Sequence, residues 1–323
     1  MATGGMRSGR DPSSSAETLY VTGRTRVTRL FLSGRTAVRK EFLGPDAERR
    51  LRLELVMLER LRGLAGVAQL IDEPRYPGSI VLADLGDTSL ADVPTPLDVD
   101  VLVGLASTLA QAVAGMHRRG VMHRDITPAT IVMSRDGAPS LVGFGSATSL
   151  AEIRPEFTHH TEITGTLAYL APEQTGRTGR SVDQRADLYA LGATLYELAT
   201  GRPPFGSGDP LRLTHDHLAL VPTPPDEANP AVPAPLSQII MHLLEKEPDR
   251  RYQSAEGLVH DLERLRADPR AGALRVGEHD APLRLLPPSR LVGRDVEMAA
   301  LQEAFDDALA GRCWAGRRTR VTR

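Results

Sequence analysis

The sequence predicts an α+β fold in which sheet and helices are segregated along the chain, and three observations predict it. Short β-type runs, TLYVTG, RVTRLFL and TAVRKEF, crowd the region before residue 45, punctuated by Gly23 and by Ser33-Gly34. That pattern is the one tight turns between consecutive antiparallel strands produce. From residue 46 to 64 the apolar spacing switches to a helical period, and beyond Gly86 the chain is mainly helical. A run of strands followed by a run of helices reads as α+β.

In order, residues 1–16 are rich in Gly, Ser and Arg, the composition of a disordered terminus. Three strands follow, then an amphipathic helix over 46–64 with Leu51, Leu55, Leu58 and Leu61 assigned to one face and Glu48, Arg49, Arg52, Glu59 and Arg60 to the others. GVAQLID and SIVLADL read as two further strands, which completes a small sheet region, 17–85, with one helix packed against it. The helical region, 86–266, carries predicted helices at 97–119, 185–200, 236–244 and 254–266. Pro203-Pro204 and VPTPPDEANPAVPAP interrupt it as loops. Residues 267–290 read as a linker, and 291–323 open with the amphipathic pattern LVGRDVEMAALQEAFDDALAGR. The hexapeptide RTRVTR occurs at Arg24 and again at Arg318, an Arg/Thr bias and not a structural repeat.

Composition narrows the function. With 41% hydrophobic and 25% charged residues the chain has the balance of a globular protein. Its most apolar stretch, 101–116, repeats Leu102, Leu105, Leu109, Ala112 and Met116 around Ser107, Thr108 and Gln111, as a buried helix does, so no membrane span is expected. Thirty-nine basic against 41 acidic residues leave no electrostatic footprint for nucleic acid. The N-terminus lacks an apolar signal core and Cys313 is the lone cysteine, so a cytoplasmic location is expected. Only Lys40 and Lys246 are lysines among the basic residues; arginine serves nearly everywhere else, so each lysine calls for an explanation.

The informative stretch is VMHRDITPATIVMSRDGAPSLVGFG, 121–145, which reads as strand, turn and strand carrying Asp125 into an exposed loop. It holds His123-Arg124-Asp125 and, nineteen residues past Asp125, Phe144-Gly145. Together with TAVRK, SIVLADLGDTSL, TGTLAYLAPE, DLYALGATLYELATGRPPF and EKEPDRRY, in that order, it resembles a protein-kinase domain over 17–266, a two-lobed fold with a small antiparallel sheet lobe and a larger helical lobe.

The resemblance implies roles residue by residue. Lys40 falls where the third strand carries the lysine that pairs the nucleotide phosphates, with Glu54 as its helix partner and Glu48 as the alternative. Leu82 would back the adenine pocket, and Ala83 to Leu85 would bond the base through their main chain. Asp125 would be the catalytic base. His123, Arg124, Phe144, Glu173, Asp187 and Arg251 would be structural, Glu173 paired with Arg251 or with adjacent Arg250, and Asp187 accepting from the backbone around His123 and Arg124. Thr158, Thr161 and Thr164 would be candidate phosphate acceptors facing Arg124.

Three departures set the expectation for activity. Thr130 stands where the family carries an asparagine, and Gly143 where it carries the aspartate before Phe-Gly; these two hold the metal ions, so no metal ligand is assigned and Mg²⁺ is not expected, while ATP stays a candidate cofactor through Lys40, Leu82, Ala83, Leu85 and Thr130. Thr127 replaces the usual lysine after the catalytic aspartate. The phosphate-covering loop has Tyr20, Thr22 and Thr25 at its three glycine positions, with Gly23 out of register.

The expected function is therefore a Ser/Thr protein kinase-like domain, impaired in catalysis and acting on or through a protein partner as a regulatory module. The alternative is an active kinase that transfers the ATP γ-phosphate to protein hydroxyls with Asp125 as base. The segment from 291 resembles the entry to the ATPase domain that follows kinase-like domains in large bacterial regulators, yet no GxxxxGK[ST] loop follows before CWAGRRTRVTR. The expectation is a truncated or frame-shifted product of such a regulator, the alternative a self-contained chain with an amphipathic tail.

Overall fold

Strands β1 (Ala16–Val21), β2 (Thr25–Leu32) and β3 (Arg35–Phe42) form an antiparallel meander, and after helix α1 (Ala47–Arg60) strand β4 (Ser79–Ala83) joins the free edge of β3. This computed structural model describes residues 16–72, 74–150, 165–268 and 275–281, all within one compact unit. The register places Tyr20, Val27, Lys40 and Ile80 in one cross-strand row and Glu17, Arg29, Val38 and Leu82 in the next row but one. Rows two residues apart share a face, so the side of the sheet that carries Lys40 also carries Arg29 and Leu82.

Two expectations for this lobe are corrected. The stretch 66–72 is not a strand: it makes only single bridges, Val67 to Leu141 and Leu70 to Leu82. The reason is Gln69, whose amide nitrogen reaches the carbonyls of Leu64 (2.9 Å) and Val67 (3.1 Å) and whose oxygen accepts from Gly63 N (2.7 Å), so the chain curls around that side chain. On α1, Leu55 is 39% exposed, and the buried face is Glu54, Met57 and Leu58, continued by Leu61 beyond the helix end. The helix is rotated to turn an acid inward, which apolar spacing alone does not reveal.

The large lobe follows through the two-residue β5 (Thr88–Ser89) to α2 (Val99–Arg118), capped by Asp98, which accepts from Asp100 N. This 20-residue helix is long and apolar enough to cross a membrane, but 67% of its apolar window is buried inside the fold. Leu102, Leu105, Leu109, Ala112 and Met116 are all in the core, as their spacing predicts. Short strands β6 (Val121–Met122), β7 (Ile131–Met133), β8 (Pro139–Leu141) and β9 (Thr148–Ser149) shape the loop region between α2 and α3 (Arg185–Thr200). β5, β7 and β8 make one small sheet, and β6 pairs with β9.

Helices α4 (Pro210–Ala219), α5 (Pro225–Ala228), α6 (Ala234–Leu243) and α7 (Ala255–Ala267) complete the lobe. α4 was not expected, and α5 falls within a stretch expected to be loop; each starts with proline at its first turn, where the missing N–H is an orphan in any case. α3 is buried on nearly every side, and a β-carbon on Gly192 would stand 2.6 Å from Leu243 Cβ, so glycine lets α3 and α6 approach.

Part of the expected linker is docked: Asp280 accepts from Ser254 N (3.0 Å) and Ser254 Oγ (2.8 Å) at the start of α7, and Gly277 N donates to Asp261 (2.7 Å). Residues 1–15 and 282–323, which hold most of the expected disordered terminus and the ATPase-like segment, lie outside the described residues.

Candidate functional site

The site lies where β3, α1 and the loops around β6 to β9 meet. Lys40 Nζ bonds both carboxylate oxygens of Glu54 at 2.7 Å, with Lys40 13% and Glu54 1% exposed at their side chains. Glu48 is exposed and its ion pair among the described residues is the i,i+4 contact with Arg52 at 3.6 Å, so Glu54 is the partner. α1 is held over the site by the turn Phe144–Ser146: Phe144 is fully buried, and a β-carbon on Gly145 would stand 3.4 Å from Glu54 Oε2.

Asp187 organises the loop below. Its buried carboxylate accepts from His123 N (2.9 Å), Arg124 N (2.7 Å) and His117 Nε2 (2.9 Å). Burial pushes this carboxyl up, but the bonds from His117 and from the backbone outweigh it and hold it below the usual carboxylate range. His123 donates from Nε2 to Val142 O (3.0 Å), accepts from Asp125 N at Nδ1 (3.3 Å), and packs edge-on against Phe144 at 4.7 Å. Those partners fix its neutral tautomer with the proton on Nε2. Arg124 sits at φ +67°, and Gln174 Nε2 bonds its carbonyl at 3.1 Å. Burial lowers the Arg124 pKa against the attraction of Asp187, and its Nε has no partner among the described residues. Asp125 Oδ1 accepts from Thr166 N at 2.9 Å, which ties the expected base to the segment beyond the loop.

Farther out, Arg251 grips Glu173 through two nitrogens, at 2.6 and 2.8 Å, both side chains fully or almost fully buried, and Arg250 is exposed. The guanidinium is completed by the carbonyls of Glu245, Lys246 and Arg185. Thr158, Thr161 and Thr164 lie outside the described residues.

At the hinge, Leu82 is buried on the Lys40 side, and Ala83 N is already engaged with Gln69 O (2.9 Å), so Ala83 cannot donate to a base as expected. Leu85 N–H and C=O make no hydrogen bond among the described residues. Sequence reasoning missed Arg29 and Asp84. Arg29 Nε and Nη2 bond the two Asp84 oxygens at 2.8 and 3.2 Å, and both side chains are buried. Burial pushes the Asp84 carboxyl up, yet Arg29, Thr36 and Gly86 N hold it below its ordinary value. The legible signal was an arginine at an inward position of an alternating strand.

The fit to Mg²⁺ fails on the donor set. Gly143 has no side chain, and its φ of +83° belongs to the left-handed region. The Thr130 hydroxyl is shared between the carbonyls of Asp125 (2.9 Å) and Thr127 (3.1 Å) and accepts from Thr127 N (2.9 Å). Its methyl lies 3.4 Å from where a Gly143 β-carbon would be. No cluster of three His, Cys, Asp or Glu side chains able to hold a metal occurs among the described residues.

Comparison with known proteins agrees with this geometry. The protein kinase domain family matches residues 37–262. The chain is 36% identical to serine/threonine-protein kinase PknB of Mycolicibacterium smegmatis over 207 residues, 64% of this chain and 30% of that protein. It is 33% identical to PknB of Mycobacterium tuberculosis H37Rv over 190 residues, 59% of this chain and 29% of the relative. It is 37% identical to the probable serine/threonine-protein kinase SCO3848 of Streptomyces coelicolor over 155 residues, 48% and 23% of the two chains. The chain thus spans under a third of the length of these relatives.

Proposed function

The chain belongs to the protein kinase domain family, and we propose that within it this domain is impaired in phosphoryl transfer and acts as a regulatory module that engages a protein partner. The observation that carries the reading is that position 143 has no side chain and its neighbour Thr130 turns a methyl toward it, where the reaction needs two oxygen ligands. Metal neutralisation is worth several kcal/mol in such transition states, so losing both ligands costs roughly a thousandfold or more in rate. The support for retained architecture is the set of pairs Lys40–Glu54, Glu173–Arg251 and Asp187 with the His123–Arg124 backbone. The fold is kept and the metal site is not.

A second reading, an active kinase acting on Ser/Thr hydroxyls of proteins with ATP as donor, is favoured by one observation. Asp125 is presented at the loop with its Oδ1 held by Thr166 N, beside an assembled Lys40–Glu54 pair. The hydroxyl preference follows the relatives, which are named serine/threonine-protein kinases.

Radiolabelled phosphotransfer separates the two. The expected result is transfer no greater than that of Asp125→Asn, with or without Mg²⁺. Mg²⁺-dependent transfer abolished by Asp125→Asn would establish the second reading in place of the first.

A further inference from the structure

We infer that Lys246 is a site of covalent acylation, an amine that the fold leaves without a carboxylate partner, seats on two aromatic rings and presents to small acyl phosphates. The site is independent of whether the domain transfers phosphate. Of the two lysines in the chain, Lys40 is accounted for by Glu54, and Lys246 has no part in that pair.

Several elements of the large lobe meet at Lys246. It stands half-buried in the turn after α6, just before the single helical turn Pro248–Arg250. Its Nζ lies 4.3 Å from the centre of the Phe205 ring, in the loop after α3, and 5.8 Å from that of Tyr189 on α3. From α4 the Asp216 carbonyl stands 3.5 Å from Nζ, the outer limit of a hydrogen bond. The Asp216 carboxylate is turned instead to Arg212 (3.6 Å) and His215 (3.2 Å) on its own helix. Lys246 makes no ion pair among the described residues.

Arg251 adds a second cation. Its Nη2 bonds the Lys246 carbonyl at 2.9 Å, and its two terminal nitrogens take up the Glu173 carboxylate, so that acid is spent on Arg251. Ring faces hold an ammonium weakly compared with the water or the carboxylate they stand in for. Burial, and then the Arg251 charge, lower the Lys246 pKa to about 8 against the pull of Asp216 and Glu245. His217, neutral down to about pH 4, and the Tyr189 hydroxyl bonded to it complete the titratable groups around the amine among the described residues. A lysine desolvated beside another cation is the arrangement that makes an amine nucleophilic near neutral pH.

The chemistry follows from that amine. Unprotonated Nζ attacks the carbonyl carbon of an acyl phosphate, a C–N bond forms, and the C–O bond to phosphate breaks. Phosphate leaves with the electron pair, and the proton lost from nitrogen goes to solvent. The seat selects the product: a neutral amide suits the ring faces, keeps one N–H for the Asp216 carbonyl and removes the charge beside Arg251. A carbamate formed from carbon dioxide would instead set an anion against Asp216 and Glu245. At pH 7.5 a pKa of about 8 leaves roughly a quarter of Lys246 unprotonated, against about one in a thousand for an ordinary lysine at about 10.4. The weaker base is also the weaker nucleophile, which takes back part of the gain and leaves about tenfold.

The test treats the full chain with acetyl phosphate at pH 7.5, folded and in guanidinium chloride, and maps the products by mass spectrometry, which resolves Lys40, Lys246 and the α-amine. The expected result is that folding accelerates acetylation of Lys246 about tenfold and slows that of Lys40, whose ammonium is clasped by both Glu54 oxygens. The Lys246 rate in the folded chain should rise with pH to a plateau, with its midpoint near 8. Lys246→Arg, which keeps a cation over the rings, should abolish the fast acetylation. Acetylation of Lys246 no faster in the folded than in the unfolded chain, or a midpoint at about 10, would overturn the inference. Fast acetylation that persists in Lys246→Arg at a residue other than the α-amine would overturn it equally.

Discussion

The Thr130 methyl lies 3.4 Å from the point a β-carbon on Gly143 would occupy, so the two departures from the family pattern are neighbours and a side chain restored at 143 would meet Thr130. Restoring one alone is therefore expected to fail. Gly143→Asp places a side chain at φ +83°, at a cost of roughly 1 to 2 kcal/mol, and pushes it toward that methyl. Gly143→Asp with Thr130→Asn removes the methyl, and the asparagine amide can replace the hydroxyl toward both Asp125 O and Thr127 N. The double variant should gain a Mg²⁺-dependent rise in melting temperature that neither the parent nor Gly143→Asp shows. An unchanged melting temperature on Mg²⁺ titration would remove the metal site as the defect.

The buried pair of Glu173 and Arg251 predicts a stability effect specific to one of two adjacent arginines. Arg251→Ala strands the Glu173 carboxylate and the carbonyls of Arg185, Glu245 and Lys246, and should cost about 3 to 5 kcal/mol. Arg250→Ala, on an exposed side chain, should stay within about 0.5 kcal/mol. Urea denaturation of the two variants decides it, and equal losses would contradict the assignment.

Much of this was legible in the sequence because motifs that fold locally announce themselves. The three-strand meander, the period of α2 and the His-Arg-Asp loop each rest on short-range patterns, and the structure places them where the patterns predict. What escaped depends on contacts between distant segments. Glu54 faces inward although helical spacing assigns Leu55 to the core, because the Lys40 ammonium draws the carboxylate into that position. Gln69 keeps 66–72 from forming a strand by bonding carbonyls of residues before it, and Arg29 finds Asp84 across fifty-five residues. Periodicity records which residues share a face, and it is silent on which polar groups will find each other there.

His217 predicts a pH dependence. Its ring lies edge-on to Phe205 at 4.9 Å, shares a 2.9 Å hydrogen bond with the Tyr189 hydroxyl, and neighbours Lys246 and Asp216. Burial, aided by the Lys246 charge, lowers its pKa to about 4. The unfolded chain takes up this proton near pH 6.5, whereas the folded chain stays neutral until about pH 4. Stability from this group is therefore complete above about pH 6.5 and declines as the pH falls toward 4. Denaturation midpoints measured across that window should fall with pH in the parent and fall less steeply in His217→Gln. A parent slope matched by the variant would exclude His217 as the source.

The docked segment after α7 supplies the last prediction. A β-carbon on Gly257 would stand 2.5 Å from Asp280 Oδ1 and 2.7 Å from its Cβ, so glycine in the first turn of α7 is what admits Asp280 to the helix start. There the carboxylate accepts from the backbone of Gln253 and Ser254 and sits at the positive end of the helix. Two changes should release the same segment by different routes. Gly257→Ala fills its seat, at a gain in intrinsic helix propensity of about 1 kcal/mol that would stabilise α7 if the segment were not docked. Asp280→Ala removes its anchor and should cost about 1 kcal/mol as the loss of a cap. Both variants should therefore melt below the parent, and combining them should add less than the sum of the two, since the contact can be lost only once. Hydrogen exchange at Gly277 N, which donates to Asp261 in the docked form, should accelerate in each. Gly257→Ala melting above the parent, with exchange at Gly277 unchanged, would show that the segment does not hold this seat in solution.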